Sequence, residues 1–290
     1  MEPRFDTISF LSDYGTADEF VGVVKSVIRG FAPHVTVLDI THEVPPYDVR
    51  AGSLTLARAV PYLCPGVVLA VVDPGVGGER RSVAIEVGGG QSYLVGPDNG
   101  LLAAAVGLVG GATDAVELNN PEYHLEAPGA TFAGRDVFAP VAAHLCNGVP
   151  LDELGERIDP ATLLPGVIPL SREEDGNVVG QVFWVDRYGN CQLNIDPAQI
   201  EGWGDRVQLR WTRPTPGSRT ARRVKAFEEL GDGQVGLVTD SYGLLAVAVA
   251  KGSAADVLDL ATGDEVVLVP LDDDEPEGPI STPVQLGRKP

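Results

Sequence analysis

An unbroken run of six apolar residues at 67–72 limits the possible folds of this chain more than any other stretch. A run of this length without polar alternation is typical of a strand buried on both faces, as in a parallel sheet covered by helices. The run leads directly into Asp73 and a glycine-rich turn, and Arg80 follows that turn. Because open α/β sheets bind ligands at the carboxyl ends of their strands, Asp73 and Arg80 are the first candidates for chemistry.

The stretches before this strand predict a β-α-β-α-β unit. Strands are expected at 5–12, 35–40 and 67–72, which are short and rich in β-branched and aromatic residues. Apolar residues recur at helical spacing in the intervening segments 18–33 and 52–63. This alternation predicts an α/β N-terminal domain with a mostly parallel central sheet and right-handed crossovers.

The second half of the chain has a different pattern. Short strands follow one another there, separated by turn residues and almost without helical periodicity, which predicts a smaller all-β, barrel-like domain. We therefore expect an N-terminal domain at 1–165, a linker at 166–172 and a C-terminal domain at 173–270. The charged, proline-rich tail at 271–290 is expected to be disordered.

Composition narrows the classes of partner. The 290 residues include 41 acidic and 21 basic ones, for a formal net charge of −20, which argues against nucleic acid and anionic membranes as partners. No apolar stretch reaches the roughly 18 residues of a membrane span, and the N-terminus lacks the features of a signal peptide, so we expect a cytoplasmic protein. The three cysteines are far apart, and none of the four histidines pairs with an acid at ligand spacing, so no metal site is predicted.

Carboxylates that directly follow predicted strands recur along the chain. Any one of them could be an ordinary turn residue, because aspartate side chains cap local N–H groups. Asp13 and Asp73 differ in that both end strands of the predicted parallel sheet at the same edge, where they could hold a ribose diol, a metal ion or an amino group. For Asp73 and Arg80 the alternative is a surface ion pair that stabilises the turn by about 1 kcal/mol or less.

Two strand–turn–strand apices carry polar residues in the second half. Asp186, Tyr188 and Asn190 lie at the first, and the stretch 239–243 forms the second. Both could be ordinary hairpin turns. The functional interpretation assigns Tyr188 to stacking on a flat base and Asn190 to reading the edge of that base.

Taken together, six motifs resemble the S-adenosyl-L-methionine hydroxide adenosyltransferases, the adenosine-forming hydrolases related to fluorinase and chlorinase. The resemblance implies hydrolysis of S-adenosyl-L-methionine to adenosine and L-methionine by attack of water or hydroxide at ribose C5′, with no cofactor. It also implies a homotrimer whose active sites lie between the N-domain of one subunit and the C-domain of its neighbour. The motifs are FLSDYGTADEF at 10–20, VVDPGVGGERRSVAI at 71–85, GPDNGLL at 96–102, TFAGRDVFAP at 131–140, DRYGNCQLNI at 186–195 and TDSYGLLAVAVAKGSAA at 239–255.

Positions within these motifs match residues with roles in the family. Asp73 and Arg80 match two of three residues that position and activate water, and Asp13 matches the carboxylate that grips the ribose hydroxyls. The rest of the substrate-binding set that the resemblance implies is Asp18 near the methionine end, Tyr47 at an aromatic wall, Gly134, Asp186 and Ser241 at the methionine part, Tyr188 and Tyr242 at the two apices, Asn190 at the adenine, and Val249 and Lys251 on the strand beside the adenine edge.

One position departs from the family pattern. The hydrolases typically have histidine in a TFHGRD stretch where this chain has Ala133, so no imidazole can activate water there. The halogenases instead carry tyrosine at the Asp73 position, and an ionised carboxylate repels a halide while it accepts a hydrogen bond from water. Gly134 is shared with chlorinase, whereas fluorinase has serine. A chlorinase-like halogenase and an S-adenosylmethionine- or adenosine-binding protein with little turnover therefore remain as alternatives.

Overall fold

The computed structural model describes residues 3–213 and 215–271. The chain forms two compact units, Met1–Ile168 and Pro169–Pro290. The division falls within the stretch 166–172 that the sequence suggests as a linker. The tail at 271–290, apart from position 271, lies outside the described residues.

The first unit is an α/β domain, as predicted. Its strands are β1 (Thr7–Ser12), β2 (Thr36–Thr41), β3 (Val67–Val71), β4 (Ser82–Val87), β5 (Ser92–Pro97), β6 (Ala112–Glu117) and β7 (Glu156–Arg157), and its helices are α1 (Phe20–Phe31), α2 (Val49–Ala59), α3 (Ala103–Leu108) and α4 (Ala139–Cys146).

The seven strands form one sheet in the order β2-β1-β3-β5-β4-β6-β7. The pairings β1–β2, β1–β3 and β3–β5 are parallel, and the other three are antiparallel. Five strands therefore run in the same direction, and only β4 and β7 run against them. The prediction of a mostly parallel central sheet is confirmed.

The apolar run that ends at Asp73 is the centre of this sheet. Every residue of β3 is buried, and helices cover both faces of the sheet. Ile28 of α1 and Leu145 of α4 share one core cluster with Leu69. On the other face Gly52 of α2 lies so close to Val72 that a Cβ there would come within 2.9 Å of its side chain. Burial on both faces explains why this strand shows no polar alternation.

Helix α2 begins at Val49, three residues before the start that the apolar pattern indicates. Asp48 provides the physical reason, because its carboxylate accepts a hydrogen bond from Ala51 N at 2.8 Å and so caps the first turn. The helix ends at Ala59, just before Pro61 enters a short 3-10 turn.

The second unit is the predicted all-β domain, and its sheet closes into a barrel. Seven strands form the ring β10-β14-β13-β12-β11-β15-β9, which the β9–β10 pairing closes, while β8 adds to the outside of β9. The β12–β13 pairing is parallel and the others are antiparallel. The elements are β8 (Arg172–Glu174), β9 (Asn177–Val185), β10 (Cys191–Leu193), β11 (Arg206–Trp211), β12 (Gly217–Val224), β13 (Val235–Thr239), β14 (Leu245–Val249), α5 (Ala254–Leu258) and β15 (Glu265–Pro270).

Alternating side chains fill the interior of this barrel. Along β11, Val207, Leu209 and Trp211 belong to the buried core, together with Val247 and Leu268 from other strands. Closure of the ring leaves no free edge among the seven strands, which is how small β-domains avoid edge-to-edge association. Within the described ranges, none of the helices has the length and apolar composition to cross a bilayer.

Candidate active site

Asp13 and Asp73 meet at one edge of the N-terminal sheet. Asp13 directly follows β1, and Asp73 comes two residues after the end of β3. The two strands are parallel neighbours, with Ser12 paired to Val71. Both aspartates line a cavity of about 310 Å³, which we call the sheet-edge cavity. Other residues that line it are Tyr14, Tyr47, Ala133 and Gly134.

Asp73 and Arg80 form a buried, bidentate ion pair. Arg80 Nε donates to Asp73 Oδ1 at 2.9 Å, and Arg80 Nη2 donates to Oδ2 at 2.5 Å. Only 6% of the Asp73 side chain and 15% of the Arg80 side chain are exposed, so this is not the surface pair considered as the alternative. Arg80 also donates to Ser82 Oγ at 2.7 Å, and its guanidinium lies 5.6 Å from the centre of the Phe138 ring. These contacts hold the Asp73 carboxylate in one orientation in the wall of the cavity.

The second carboxylate, Asp13, is held by a backbone group instead of a cation. Its Oδ2 accepts a hydrogen bond from Tyr47 N at 2.9 Å. Burial raises the pKa of the Asp13 carboxyl, the hydrogen bond from Tyr47 partly offsets this, and the nearby charge of Asp73 adds to the rise. Tyr47 has a φ of +69°, in the left-handed region, and 74% of it is exposed beside the cavity. Tyr47 is among the residues that line the cavity, and its role as a wall residue stays a prediction.

Tyr14 is a cavity residue that the sequence reasoning missed. Its ring packs edge-to-face on Phe132, with ring centres 5.7 Å apart, and also contacts Phe10 and Phe20. A Cβ on Gly134 would collide with the Tyr14 hydroxyl and come within 3.1 Å of its Cζ. The available signal was an aromatic residue directly after the first strand-ending aspartate.

The loop that carries Asp13 and Tyr14 rests on a buried polar network. Ser12 Oγ and His42 Nδ1 are 2.8 Å apart, and His42 Nε2 lies 3.0 Å from Asp39 Oδ1. Tyr14 N donates to Ser12 Oγ at 3.4 Å, which connects the network to the cavity. Burial raises the pKa of Asp39, but Lys25, which donates to its Oδ2 at 2.6 Å, and the nearby His42 ring outweigh this and lower it overall. The sequence reasoning did not find this role of His42.

The residues next to Ala133 adopt an unusual backbone. A single π-helical turn, Gly134–Phe138, precedes α4 and begins directly after Ala133. π-Helical turns are rare and often occur at functional sites. Here Ala133 and Gly134 lie in the cavity wall, and Gly134 packs beside the Tyr14 hydroxyl. Among the described residues that line this cavity, none is a histidine.

In the second unit, the apex at 186–190 is an aspartate-capped turn. Asp186 Oδ1 accepts from Tyr188 N at 2.8 Å and from Asn190 N at 2.9 Å, while Oδ2 accepts from Asn190 Nδ2 at 2.8 Å. The turn precedes β10, and Val249 and Lys251 come at the end of β14. Because β10 and β14 are antiparallel, these residues lie at the same end of their ladder.

The apex at 240–243 is built in the same way at the other end of that ladder. Asp240 Oδ1 accepts from Tyr242 N at 2.8 Å and from Leu244 N at 3.1 Å, and its Oδ2 accepts from Gln192 Nε2 of β10. Ser241 and Tyr242 are thereby held at the tip. In the first unit, Asp18 is exposed just before α1 and is not among the residues that line the sheet-edge cavity.

The potential metal-ligating side chains of the described residues are dispersed. Within residues 3–213 and 215–271, no group of three or more His, Cys, Asp or Glu side chains lies close enough together to hold a metal ion.

The fold and the cavity define a protein with an α/β unit, a separate β-barrel unit and an acidic small-molecule site. The family model for the SAM hydroxide adenosyltransferase N-terminal domain matches residues 8–155, and the model for the C-terminal domain of the same family matches 180–267. The chain belongs to the S-adenosyl-L-methionine hydroxide adenosyltransferase family, and the resemblance inferred from the six motifs is confirmed.

Individual relatives agree with this assignment. The (R)-S-adenosyl-L-methionine hydrolase of Salinispora tropica is 44% identical over 264 residues, which cover 89% of this chain and 96% of the relative. The crystal structure of an uncharacterized conserved protein from Thermotoga maritima matches with a TM-score of 0.82 and 36% identity, over 90% of this chain and 99% of the other. A fluorinase of Nocardia brasiliensis is more distant, at 29% identity over 91% of this chain and 96% of its own length.

Proposed function

We propose that this chain hydrolyses S-adenosyl-L-methionine to adenosine and L-methionine by attack of water at ribose C5′. The observation that carries the proposal is the buried Asp73 carboxylate, held by Arg80 in the wall of the sheet-edge cavity. Relatives 40–44% identical over most of the chain are named as hydrolases of this substrate.

Displacement of a thioether from a sulfonium suits a site without a strong acid. The oxygen lone pair of water forms the O–C5′ bond while the C5′–S bond breaks, and that electron pair stays on sulfur. Methionine leaves as a neutral thioether, so no group has to protonate it. The attacking water loses its proton to solvent as the O–C5′ bond forms, and the Asp73 carboxylate, held by Arg80, stabilises the positive charge that develops on that water.

Positioning contributes most of the catalysis in this scheme. Asp73, fixed in plane by Arg80, accepts a hydrogen bond from the water, and Asp13 accepts hydrogen bonds from the two ribose hydroxyls. Alignment of water, C5′ and sulfur is worth about 7–11 kcal/mol of the barrier in favourable cases. Two carboxylates at one edge also attract the cationic sulfonium into the cavity.

The same carboxylate separates hydrolysis from halogenation. The Asp73 carboxylate, paired with Arg80, still accepts a hydrogen bond from water, whereas a chloride ion has no proton to donate to it. Chlorinase-like chemistry is therefore the second candidate, because Gly134 offers no side chain that distinguishes the two nucleophiles.

Product analysis tests the function. The purified chain is incubated with S-adenosylmethionine, with and without added chloride, and the products are separated by chromatography. Adenosine and methionine in both samples support hydrolysis. A 5′-chloro-5′-deoxyadenosine peak that exceeds adenosine would identify a halogenase, and bound but unreacted substrate would identify a binding protein. Replacing Asp73 by Asn should lower kcat by about 100-fold or more with KM little changed.

We also infer that the active form is a cytoplasmic homotrimer, with each site shared between the N-domain of one subunit and the C-domain of the next. Three aromatic residues of the expected site support this. Tyr47, Tyr188 and Tyr242 are 74%, 78% and 51% exposed in the single chain. Large exposed aromatic side chains are typical of surfaces that a ligand or partner covers.

A further inference from the structure

Ala133 leaves the sheet-edge cavity without the imidazole that the family hydrolases have, and the structure shows a different polar group nearby. The Tyr14 side chain lines the same cavity as Ala133 and Asp73. Its hydroxyl packs against Gly134, the residue next to Ala133, so closely that a Cβ at position 134 would collide with it. The phenol oxygen therefore lies within one residue of the position that lacks the histidine.

Packing fixes the ring of Tyr14 in this orientation. Phe132 and Phe10 contact it edge-to-face at 5.7 and 6.5 Å between ring centres, and Phe20 contacts it at 5.7 Å. The Ser12–His42 network holds the Tyr14 backbone at its N–H group. A polar group on a ring fixed in this way is preorganised, and it needs no rearrangement when substrate binds.

The Tyr14 hydroxyl is available as a donor. Across residues 3–213 and 215–271, no protein group forms a hydrogen bond with it, and Tyr14 is only partly buried where it lines the cavity. Burial raises the pKa of this phenol, and the charges of Asp13, Asp73 and Asp136 raise it further while Arg80 opposes them. Tyr14 therefore keeps its proton at neutral pH and can donate a hydrogen bond, but it cannot act as a base.

We propose that the Tyr14 hydroxyl replaces the missing imidazole by donating a hydrogen bond to the attacking water. The water then donates to Asp73 and accepts from Tyr14, which leaves its second lone pair directed at C5′. Tyr14 is a catalytic residue in this scheme, because it contacts the nucleophile. The assignment rests on the proposed hydrolysis and specifies how this chain manages without histidine at position 133.

The test compares four variants by steady-state kinetics of adenosine formation. Tyr14→Phe removes only the hydroxyl and is expected to lower kcat about 10- to 100-fold, with KM for S-adenosylmethionine within about 3-fold of wild type. Tyr62→Phe is the matched control, because Tyr62 is 75% exposed and lies outside the cavity. It should leave kcat unchanged.

Ala133→His, alone and combined with Tyr14→Phe, separates a chemical role from a structural one. If the phenol and the imidazole have the same role, adding Ala133→His to Tyr14→Phe should raise kcat at least 10-fold. The same Ala133→His change in the wild type should alter kcat little, so the effects of the two substitutions would not be additive. A Tyr14→Phe variant as fast as wild type would overturn the assignment alone. So would a loss that appears in KM and is not rescued by Ala133→His.

Failure of the underlying function gives a different result. If the wild-type chain itself forms no adenosine, the proposed hydrolysis fails and the role of Tyr14 fails with it. Thermal unfolding of each variant, with and without S-adenosylmethionine, shows that the proteins are folded and bind substrate, so a lower kcat in Tyr14→Phe cannot come from unfolded protein.

Discussion

The two cavity carboxylates have opposite electrostatic surroundings. Asp73 is neutralised by a bidentate arginine, whereas Asp13 is held by backbone N–H groups, that of Tyr47 among them, and lies near the charge of Asp73. The first arrangement produces a fixed hydrogen-bond acceptor. The arrangement at Asp13 leaves a poorly solvated negative charge, which can accept hydrogen bonds from the two hydroxyls of a ribose. Such a charge lowers the stability of the protein without ligand.

Asp13→Asn should therefore stabilise the protein while weakening substrate binding. A carboxyl group whose pKa is raised on folding binds protons more tightly in the folded state, so its stabilising contribution is present at low pH and is lost as pH rises through the folded pKa. At pH 7 the charged Asp13 thus costs stability, and the neutral amide, whose oxygen still accepts from Tyr47 N, removes that cost.

We expect Asp13→Asn to raise Tm by about 1–3 °C at pH 7 and to have no effect on Tm below about pH 4. The same variant should raise the Kd for S-adenosylmethionine at least 10-fold, measured by calorimetry. Asp18→Asn, at an exposed position, controls for the charge change and should leave Tm unaltered. A lower Tm for Asp13→Asn at pH 7 would contradict this account of the site.

Glycine is needed at position 134 because the Tyr14 side chain occupies the space that a Cβ would take. Backbone conformation is not the reason, since Gly134 has no positive φ. Gly134→Ala should lower the free energy of unfolding by about 1–3 kcal/mol in urea, because the new methyl group forces Tyr14 to move. Gly22→Ala on α1 is the matched control, as a Cβ there meets no atom within 4 Å, and it should stabilise slightly. Combining Gly134→Ala with Tyr14→Phe should reduce the loss, and equal losses in both backgrounds would show that the two residues are not coupled.

At the level of elements, the sequence predicted those parts of the site that depend on strand ends. The apolar run at 67–72 indicates a strand buried on both faces, and parallel pairing then brings Asp13 and Asp73 to one edge. The contact of Tyr14 with Gly134 could not be read in this way, because it depends on a π-helical turn more than one hundred residues away in sequence. The sequence could not predict the Ser12–His42–Asp39 network for a related reason, because that network depends on the register of β1 against β2.

A second buried aspartate–arginine pair provides an internal comparison for Asp73. Asp98, after β5, accepts from Arg81 Nε at 2.9 Å and Nη2 at 2.6 Å, and its other oxygen accepts from Leu164 N at 2.8 Å. This pair lies beside a different cavity and ties the segment around Leu164 to the sheet. Its contacts indicate a structural role.

Asp98→Ala should therefore reduce stability and spare catalysis. Removing one partner of a buried pair leaves the arginine uncompensated, and we expect a loss of about 2–4 kcal/mol in the free energy of unfolding by urea titration. At a temperature where the variant is folded, KM and kcat for S-adenosylmethionine should stay within about 3-fold of wild type. Normal stability with abolished turnover would instead place Asp98 in the reaction.

At the level of the whole molecule, the expected site residues are divided between the two units, and the proposed trimer makes a site from two subunits. Light scattering should give three times the mass of the chain. Chains with Asp73→Asn and chains with Asn190→Ala are expected to be inactive alone. When the two are co-expressed in equal amounts, an intact site forms only where the N-domain of an Asn190→Ala chain meets the C-domain of an Asp73→Asn chain. About a quarter of the interfaces in mixed trimers have this pairing, so about a quarter of wild-type activity should return. Absence of any recovery in mixed trimers would show that both halves come from one chain.

The central claim is that water, positioned by Asp73, attacks C5′. Incubation of the wild-type chain with S-adenosylmethionine in H₂¹⁸O, followed by mass spectrometry of the adenosine, tests it most directly. The account predicts one ¹⁸O atom, located at the ribose 5′ oxygen, and a rate of labelled product that falls about 100-fold or more in Asp73→Asn. Unlabelled adenosine, labelled product formed equally fast without Asp73, or no adenosine at all would contradict it.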